Sequence, residues 1–336
     1  MSKTYLGIDV HKRHCVFTEI DSGGNILRRG RFDNSFEGVS DFIGSLSPKV
    51  ELVLEPVLNY LWLLDQIEPY VGSVHVATPH KVRIIAESKS KTDKYDSRML
   101  AELLRTNFLP ESWVPPYEIR ILRGVVRQRY HLVKTMIMNK NRIRHLLFWH
   151  GIDLRVFDVS SPKACGEIDR LCFCETSKKS IEQCLDVISS LKRSISELDR
   201  QLLEMSEGIE SVELLQTIPG IGSVRSATIY AEIGDINRFK SSKALANYSG
   251  LIPSVRASGD SVRVGGITKL GSRPLRHALV EASINVIRKS RALNRLFNRV
   301  LYRGNVQKAR VAVARKLAVI IYAMLKHREP FRAQIA

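Results

Sequence analysis

The chain has 336 residues, enough for two or three folded units rather than one. Lys and Arg total 52 against 34 Asp and Glu, a formal net charge of +18, and an excess of this size calls for a polyanionic partner, nucleic acid first. No run of eighteen apolar residues, no lipidation signal and no signal-peptide core is found, so a membrane partner is not expected and a cytoplasmic location is.

Residues 4–10 (TYLGIDV) and 13–20 (RHCVFTEI) read as strands, and the Asp21-Ser22-Gly23-Gly24 turn leads to a third around 26–32, a three-stranded meander. Helical spacing at Phe36, Val39 and Phe42/Ile43 follows, then strands at 50–55 (VELVLE) and 74–77. Antiparallel strands followed by alternating strand and helix describe a mixed sheet with helices on its faces, in the order of a ribonuclease-H-like fold. A helix over 91–105 is predicted from Met99, Leu100, Leu103 and Leu104; Pro110, Pro115 and Pro116 then break the chain, which places a domain boundary near 115.

Residues 118–150 read as one long basic helix carrying Arg120, Arg123, Arg127, Lys134 and Arg142. Charges of one sign form no i,i+4 ladder, which points to phosphate contact rather than to a merely solvated face. A second long helix repeats apolar residues at three and four from Ile181 to Ile209, a coiled-coil seam. Its plain meaning is self-association into a dimer or tetramer; a hairpin with the preceding basic helix is the alternative. Residues 151–180 match no pattern. Cys165, Cys172 and Cys174 lack paired zinc spacing, and with Cys15 and Cys184 they are expected to be reduced thiols.

The stretch Thr217-Ile218-Pro219-Gly220-Ile221-Gly222-Ser223 is a glycine-hinged turn entering a helix, like a helix-hairpin-helix element. Main-chain N–H groups at Gly220 and Gly222 would suit a phosphate, although a plain helix–helix turn is an equal reading. Further on, small residues and serines (Ser254, Ser258, Ser261) stand among Arg256, Arg263, Lys269, Arg273 and Arg276, a composition that suits a scissile phosphate with a serine hydroxyl as nucleophile. No general base accompanies them, so a flexible basic phosphate-binding loop is the competing reading.

Four acids complete the set of candidates. Asp9 interrupts an apolar strand, Glu55 ends the fourth strand, and Asp93 and Asp96 share one face at the start of a helix. Singly each has a structural explanation; at one edge of such a sheet they would converge as a site for two magnesium ions.

Leu6-Gly7-Ile8-Asp9-Val10-His11-Lys12, Leu54-Glu55-Pro56, Lys91-Thr92-Asp93-Lys94-Tyr95-Asp96-Ser97-Arg98, and the block from Gly250-Leu251-Ile252-Pro253 to Arg273-Pro274-Leu275-Arg276 together resemble the DEDD-type insertion-sequence transposases. These are the bridge-RNA-guided recombinases, with the Piv DNA invertases as relatives. The resemblance implies an α/β plus α architecture: a RuvC-like (RNase H fold) domain over 1–115, a long basic helix and coiled coil over 116–212, and a mainly helical transposase domain over 213–336. It further implies Asp9, Glu55, Asp93 and Asp96 with Mg2+, Ser258 as catalytic serine, donor and target DNA and a bridge RNA as partners, and no nucleotide cofactor. The rivals are a site-specific invertase of the same family, a RuvC-like junction nuclease that uses water, and a non-catalytic nucleic-acid scaffold.

Overall fold

The computed structural model describes residues 3–56, 59–85, 93–154, 158–258 and 261–332, in two compact units that divide between Val114 and Pro115. The first unit is a mixed α/β layer structure and the second is almost wholly helical.

In the first unit, β1 (Thr4–Val10), β2 (His14–Ile20) and β3 (Ile26–Asp33) form the meander, and β4 (Val50–Leu54) and β5 (Ser73–Val76) extend it to a five-stranded sheet of order β3-β2-β1-β4-β5. The β1–β2 and β2–β3 pairs are antiparallel, and the β1–β4 and β4–β5 pairs are parallel. Alternation along β1 divides its residues between two covered faces. Leu6, Ile8 and Val10 join Leu52 and Leu54 under α1 (Phe36–Ile43) and α2 (Tyr60–Ile67), which contribute Val39, Phe42, Leu63 and Ile67. On the other face Tyr5 and Val53 meet Leu100, Leu103 and Leu104 of α4 (Asp93–Arg105); the short α3 (Pro79–Ile85) adds Val82.

The second unit opens with α5 (Tyr117–Trp149), which is 33 residues or about 50 Å long. The short α6 (Pro162–Arg170), N-capped by Ser161, lies in the stretch the sequence left unread. It is followed by the 32-residue α7 (Glu175–Ser206). Ile181 and Ile188 near the start of α7 pack with Ile143, Leu146 and Leu147 near the end of α5, and Leu202 near its end packs with Leu122 and Val126. The two helices are therefore antiparallel, and the seam at Ile181, Ile188, Ile195 and Leu202 is buried within the chain. Of the two readings left open for that seam, the hairpin with the basic helix is the one adopted; the seam is not free for a second copy.

The remaining helices are α8 (Glu210–Gln216), α9 (Ser223–Ile233), α10 (Ser242–Tyr248), α11 (Arg273–Lys289), α12 (Arg291–Tyr302) and α13 (Val306–His327). They enclose one apolar core built around Ile229, Leu275, Ala282, Val286, Val313, Leu317 and Ile321. Between α10 and α11 the chain forms an antiparallel ribbon, β6 (Pro253–Ser258) and β7 (Ser261–Ile267), where composition suggested a loop. Among the described residues no helix is long and apolar enough to cross a membrane.

Candidate functional site

The geometry of the first unit follows from one glycine. A Cβ on Gly7 would lie 2.0 Å from the Ser97 carbonyl oxygen and 2.7 Å from the Ala101 nitrogen, so β1 and α4 approach backbone to backbone there. A buried hydroxyl contact between Thr18 and Ser97, at 2.9 Å, fixes the same crossing from β2. The far end of α4 is tied to the β2–β3 turn, where the Arg105 guanidinium donates to the Ser22 carbonyl at 3.3 Å. Because that turn lies beyond the start of β1, α4 runs antiparallel to β1 and its N-terminus lies toward the end of the strand, where Asp9 stands.

Asp9 and Glu55 are neighbours across the parallel ladder. Ile8 is in register with Leu54, and the Glu55 amide donates to the Ile8 carbonyl at 3.3 Å. Two residues beyond Gly7 and Val53 respectively, both acids belong to the α4 face of the sheet. On α4, Asp96 stands one turn before the stripe of Leu100 and Leu103 that packs on this face, and Asp93 opens the helix. Asp9, Glu55 and the start of α4 are thus brought to one end of the sheet; the Asp93 side chain lies outside the described residues.

Asp9 is only 7% exposed, with Oδ2 3.2 Å from Nε2 of His11. The His11 ring in turn packs on His14, with centroids 4.7 Å apart. His11 was not singled out from the sequence, although an acid and a histidine two apart where a strand ends are a usable signal. Among the described residues no group of three or more acidic, histidine or cysteine side chains is drawn together as metal ligands. The acids do share an oxygen-only donor chemistry, which fits a hard cation such as Mg2+ and not zinc.

In the second unit, Ser258 closes β6 opposite Ser261, and Gly259 and Asp260 between them lie outside the described residues, as does the Ser258 side chain. Arg256 is the register partner of Arg263, which is exposed. The root of the ribbon is pinned rather than loose. Lys269 (φ 55°) donates its amide to Gly250, and Ser272 donates its amide to Tyr248. A Cβ on Gly271 (φ 109°) would lie 2.1 Å from the Tyr248 oxygen. Arg276 reaches back to the Ser249 carbonyl at 3.0 Å, while Arg273, at the start of α11, is exposed.

The basic face of α5 is less available than its composition suggests. Arg123 is 8% exposed and donates to the carbonyls of Ala231 (2.6 Å) and Glu232 (2.8 Å), closing the C-terminal end of α9. Burial lowers its pKa, and neighbouring Tyr248 and Glu232 oppose that fall. Arg127 spans both carboxylate oxygens of the fully buried Glu232, at 2.9 and 3.3 Å, and Ser272 donates to the same carboxylate. Arg123 therefore leaves the set of phosphate-contacting candidates: its charge is spent inside the fold. Arg120 lies half-buried over the Tyr117 ring, whereas Lys134 and Arg142 are exposed.

The predicted helix-hairpin-helix turn is formed by α8 and α9, with Ile218 and Ile221 buried between them and the core. Gly220 (φ 89°) is required by its approach to α11, since a Cβ there would lie 2.2 Å from that of Asn285. Gly222, which precedes α9, faces open space at a cavity of about 660 Å³ whose lining includes Arg129, Tyr130, Arg225 and His277. Gly222 is thus the glycine of the pair with room for a ligand.

These arrangements define a chain with an acidic sheet edge in one unit and a serine-bearing basic ribbon in the other, and comparison with known proteins gives the class. Residues 6–149 match the DEDD transposase family of the IS110 type, and residues 212–298 match the transposase family IS116/IS110/IS902. The chain is similar to the pilin gene-inverting protein of Moraxella bovis, at 27% identity over 100% of this chain and 99% of that one. It is 26% identical to the transposase for insertion sequence element IS1111A of Coxiella burnetii, over 76% of this chain and 72% of the relative. It is also 22% identical to a probable family 20 transposase of Pseudomonas aeruginosa, over 99% of each. The chain thus carries both transposase domains of the IS110/IS116/IS902 family. The relatives are named as transposases and as a gene-inverting protein, and this chain is a DNA-recombining enzyme of that class.

Proposed function

We propose that the chain cuts and rejoins DNA strands by joint use of an acidic site in an RNase-H-like, RuvC-type first unit and a serine nucleophile in the second. The observation that carries this reading is the register of Asp9 beside Glu55, with the acidic start of α4 directed to the same strand ends. The strand order β3-β2-β1-β4-β5 supports the fold assignment.

Asp9, Glu55, Asp93 and Asp96 would hold Mg2+, in the two-ion manner, with the Gly7 contact and the Thr18–Ser97 pair keeping the helix-borne acids at the strand ends. When bound, the ions supply charge neutralisation at the scissile phosphate. Ser258 attacks the phosphorus, forming a P–O bond to the serine oxygen as its hydroxyl proton is given up, and the bridging sugar oxygen leaves and takes up a proton in its place. The phosphoserine keeps the energy of the broken bond, so a hydroxyl of another strand can displace the serine and restore a phosphodiester. Arg256, Arg263, Lys269, Arg273 and Arg276 supply positive charge around the phosphate; Arg276 is anchored to Ser249 and chiefly positions the others.

Sequence choice is delegated to a bridge RNA that pairs with donor and target DNA, while the protein reads backbone and shape, in keeping with the +18 charge. Recombination of two duplexes calls for a dimer or tetramer. Since the α7 seam is covered by α5, contacts between copies use other surfaces. Site-specific inversion is the second reading, favoured by a relative named for gene inversion that matches the chain end to end.

The test is recombination in cells of a plasmid carrying the gene with its flanks, for wild type, Asp96→Ala and Ser258→Ala. Loss of joined product in both variants is expected. Activity in Ser258→Ala alone would move the nucleophile to Ser254, Ser261 or water, and activity in Asp96→Ala would leave the acids a structural role. A guide RNA is tested by deleting the noncoding flank and supplying it in trans.

A further inference from the structure

A one-signed surface lies on residues assigned to neither site. From residue 282 to residue 328 there is no Asp or Glu, against twelve Lys and Arg. Within this stretch α12 is sharply two-sided. Leu293 is 1% exposed, and Leu296 and Phe297 pack beside it on the core shared with α13. The opposite stripe carries Arg291, Arg295 and Arg299, one turn apart, and Tyr302, which is 92% exposed, with Arg303 following as the C-cap. All four arginines are exposed, and among the described residues none is engaged in an ion pair or hydrogen bond through its side chain. A cleft of about 610 Å³ at the α11–α12 junction, lined by Arg288, Ser290, Arg291, Asn294 and Arg295 among others, continues the stripe.

A solvated helix face ordinarily mixes charges of both signs, and this one has no acid to pair with. An anionic membrane would need the apolar face of the helix, which is already packed against α13. From Arg291 to Arg303 is about 18 Å at 1.5 Å per residue, so neighbouring arginines stand about 6 Å apart along the helix, a spacing their long side chains can match to the phosphates of one extended strand. An exposed tyrosine at the end of a row of arginines is the pairing of stacking surface and charge that binds a single strand without reading its sequence.

We propose that α12 is a strand-tracking nucleic-acid site, in which Arg291, Arg295, Arg299 and Arg303 hold successive phosphates of one strand and Tyr302 stacks on an unpaired base where that strand leaves the helix. The inference rests on the chain acting on nucleic acid, but on neither the acids nor Ser258. DNA and RNA strands share the chemistry it needs.

The test is fluorescence anisotropy of the full chain with a labelled single DNA strand, the matching RNA strand and the corresponding DNA duplex, over a range of salt. Replacing the four arginines by glutamine should weaken single-strand binding at least ten-fold at moderate salt and reduce the slope of log affinity against log salt by about 3, from about 0.7 per phosphate contact. Tyr302→Ala should cost about ten-fold on single strands, nothing on the duplex, and leave the salt slope unchanged. A loss confined to one of the two strands assigns the site to DNA or to RNA. An unchanged slope in the arginine variant with every probe would overturn the site, and equal losses on strand and duplex for Tyr302→Ala would overturn the stacking. Arg295→Gln/Arg299→Gln, expected to lower the slope by half as much, keeps the test valid if the fourfold variant fails to fold. If wild type bound none of the probes, the recombinase reading itself would fail; binding with an unchanged slope removes only α12.

Discussion

Replacing Arg123 by alanine separates a structural from a nucleic-acid role for the basic face of α5. Its guanidinium, 8% exposed, makes two hydrogen bonds of 2.6 and 2.8 Å to carbonyls at the end of α9. A hydrogen bond from a charged donor contributes about 1.5 to 3 kcal/mol, and carbonyls left unpaired by truncation add a desolvation cost. Arg238 also donates to the Glu232 carbonyl, at 3.3 Å, and recovers part of that loss. A net destabilisation of about 3 kcal/mol is expected, which moves the urea midpoint of the second unit down by about 1 M at an m-value of about 3 kcal/mol/M. Arg123→Lys should recover little, since a single ammonium does not reproduce the two-pronged geometry. The assay is urea unfolding followed by circular dichroism, paired with the salt dependence of DNA binding. The reasoning is refuted if the midpoint stays in place while the salt slope falls by about 1, the signature of a lost phosphate contact.

Other consequences follow from the same contacts. Gly7→Ala forces backbone against backbone at Ser97, so it should cost about 2 to 3 kcal/mol in the first unit and abolish recombination even where the protein stays folded, because α4 carries Asp93 and Asp96 away from Asp9; thermal melts and the plasmid assay together check this. Asp158 has its pKa held at about 2: burial works to raise it, but the Ser160 amide and hydroxyl and the Lys140 ammonium at 3.0 Å outweigh that. A carboxyl with a depressed folded pKa stabilises above its ordinary value of 3.8 and loses that contribution as pH falls through about 2, so Asp158→Asn should cost about 1 to 2 kcal/mol at neutral pH and flatten stability between about pH 4 and pH 2. Tyr302→Ala should leave the melting temperature unchanged, since its side chain is almost fully exposed, while weakening single-strand binding.

The first unit was legible because its signals are local. Period-two alternation in β1 and β2, the Asp-Ser-Gly-Gly turn and the apolar run of β4 each specify an element without help from distant residues, and the meander follows from the turn, whereas the parallel pairing of β4 with β1 is non-local. The second unit was legible in its two long helices and in α9, but not in the partners of those helices or in α10 to α13, which were expected only as a mainly helical region. A heptad seam says that Ile181, Ile188, Ile195 and Leu202 must be covered, but not by whom, and α5 carries matching apolar positions at Leu122, Val126, Ile143 and Leu147 among its charges. The duty of Arg123 was hidden for a related reason: its hydrogen bonds go to main-chain carbonyls more than a hundred residues away, which leave no mark in composition. The β6–β7 ribbon read as a loop because serine and glycine dominate it, while its pairing depends on the pinned turns at Gly250 and Gly271. Residues 151–180 stayed unread because α6 shows too few turns for a period to register and only the first turns of α7 fall within them.

The central claim is that a serine on the β6–β7 ribbon becomes covalently joined to DNA. Its most direct test is mass spectrometry of the protein after reaction with element-end DNA, quenched in denaturant and digested with nuclease and protease. A nucleotide adduct on the peptide containing Ser258, absent from Ser258→Ala, is the predicted result; cleaved DNA with free ends and no protein adduct would contradict the account and make water the nucleophile.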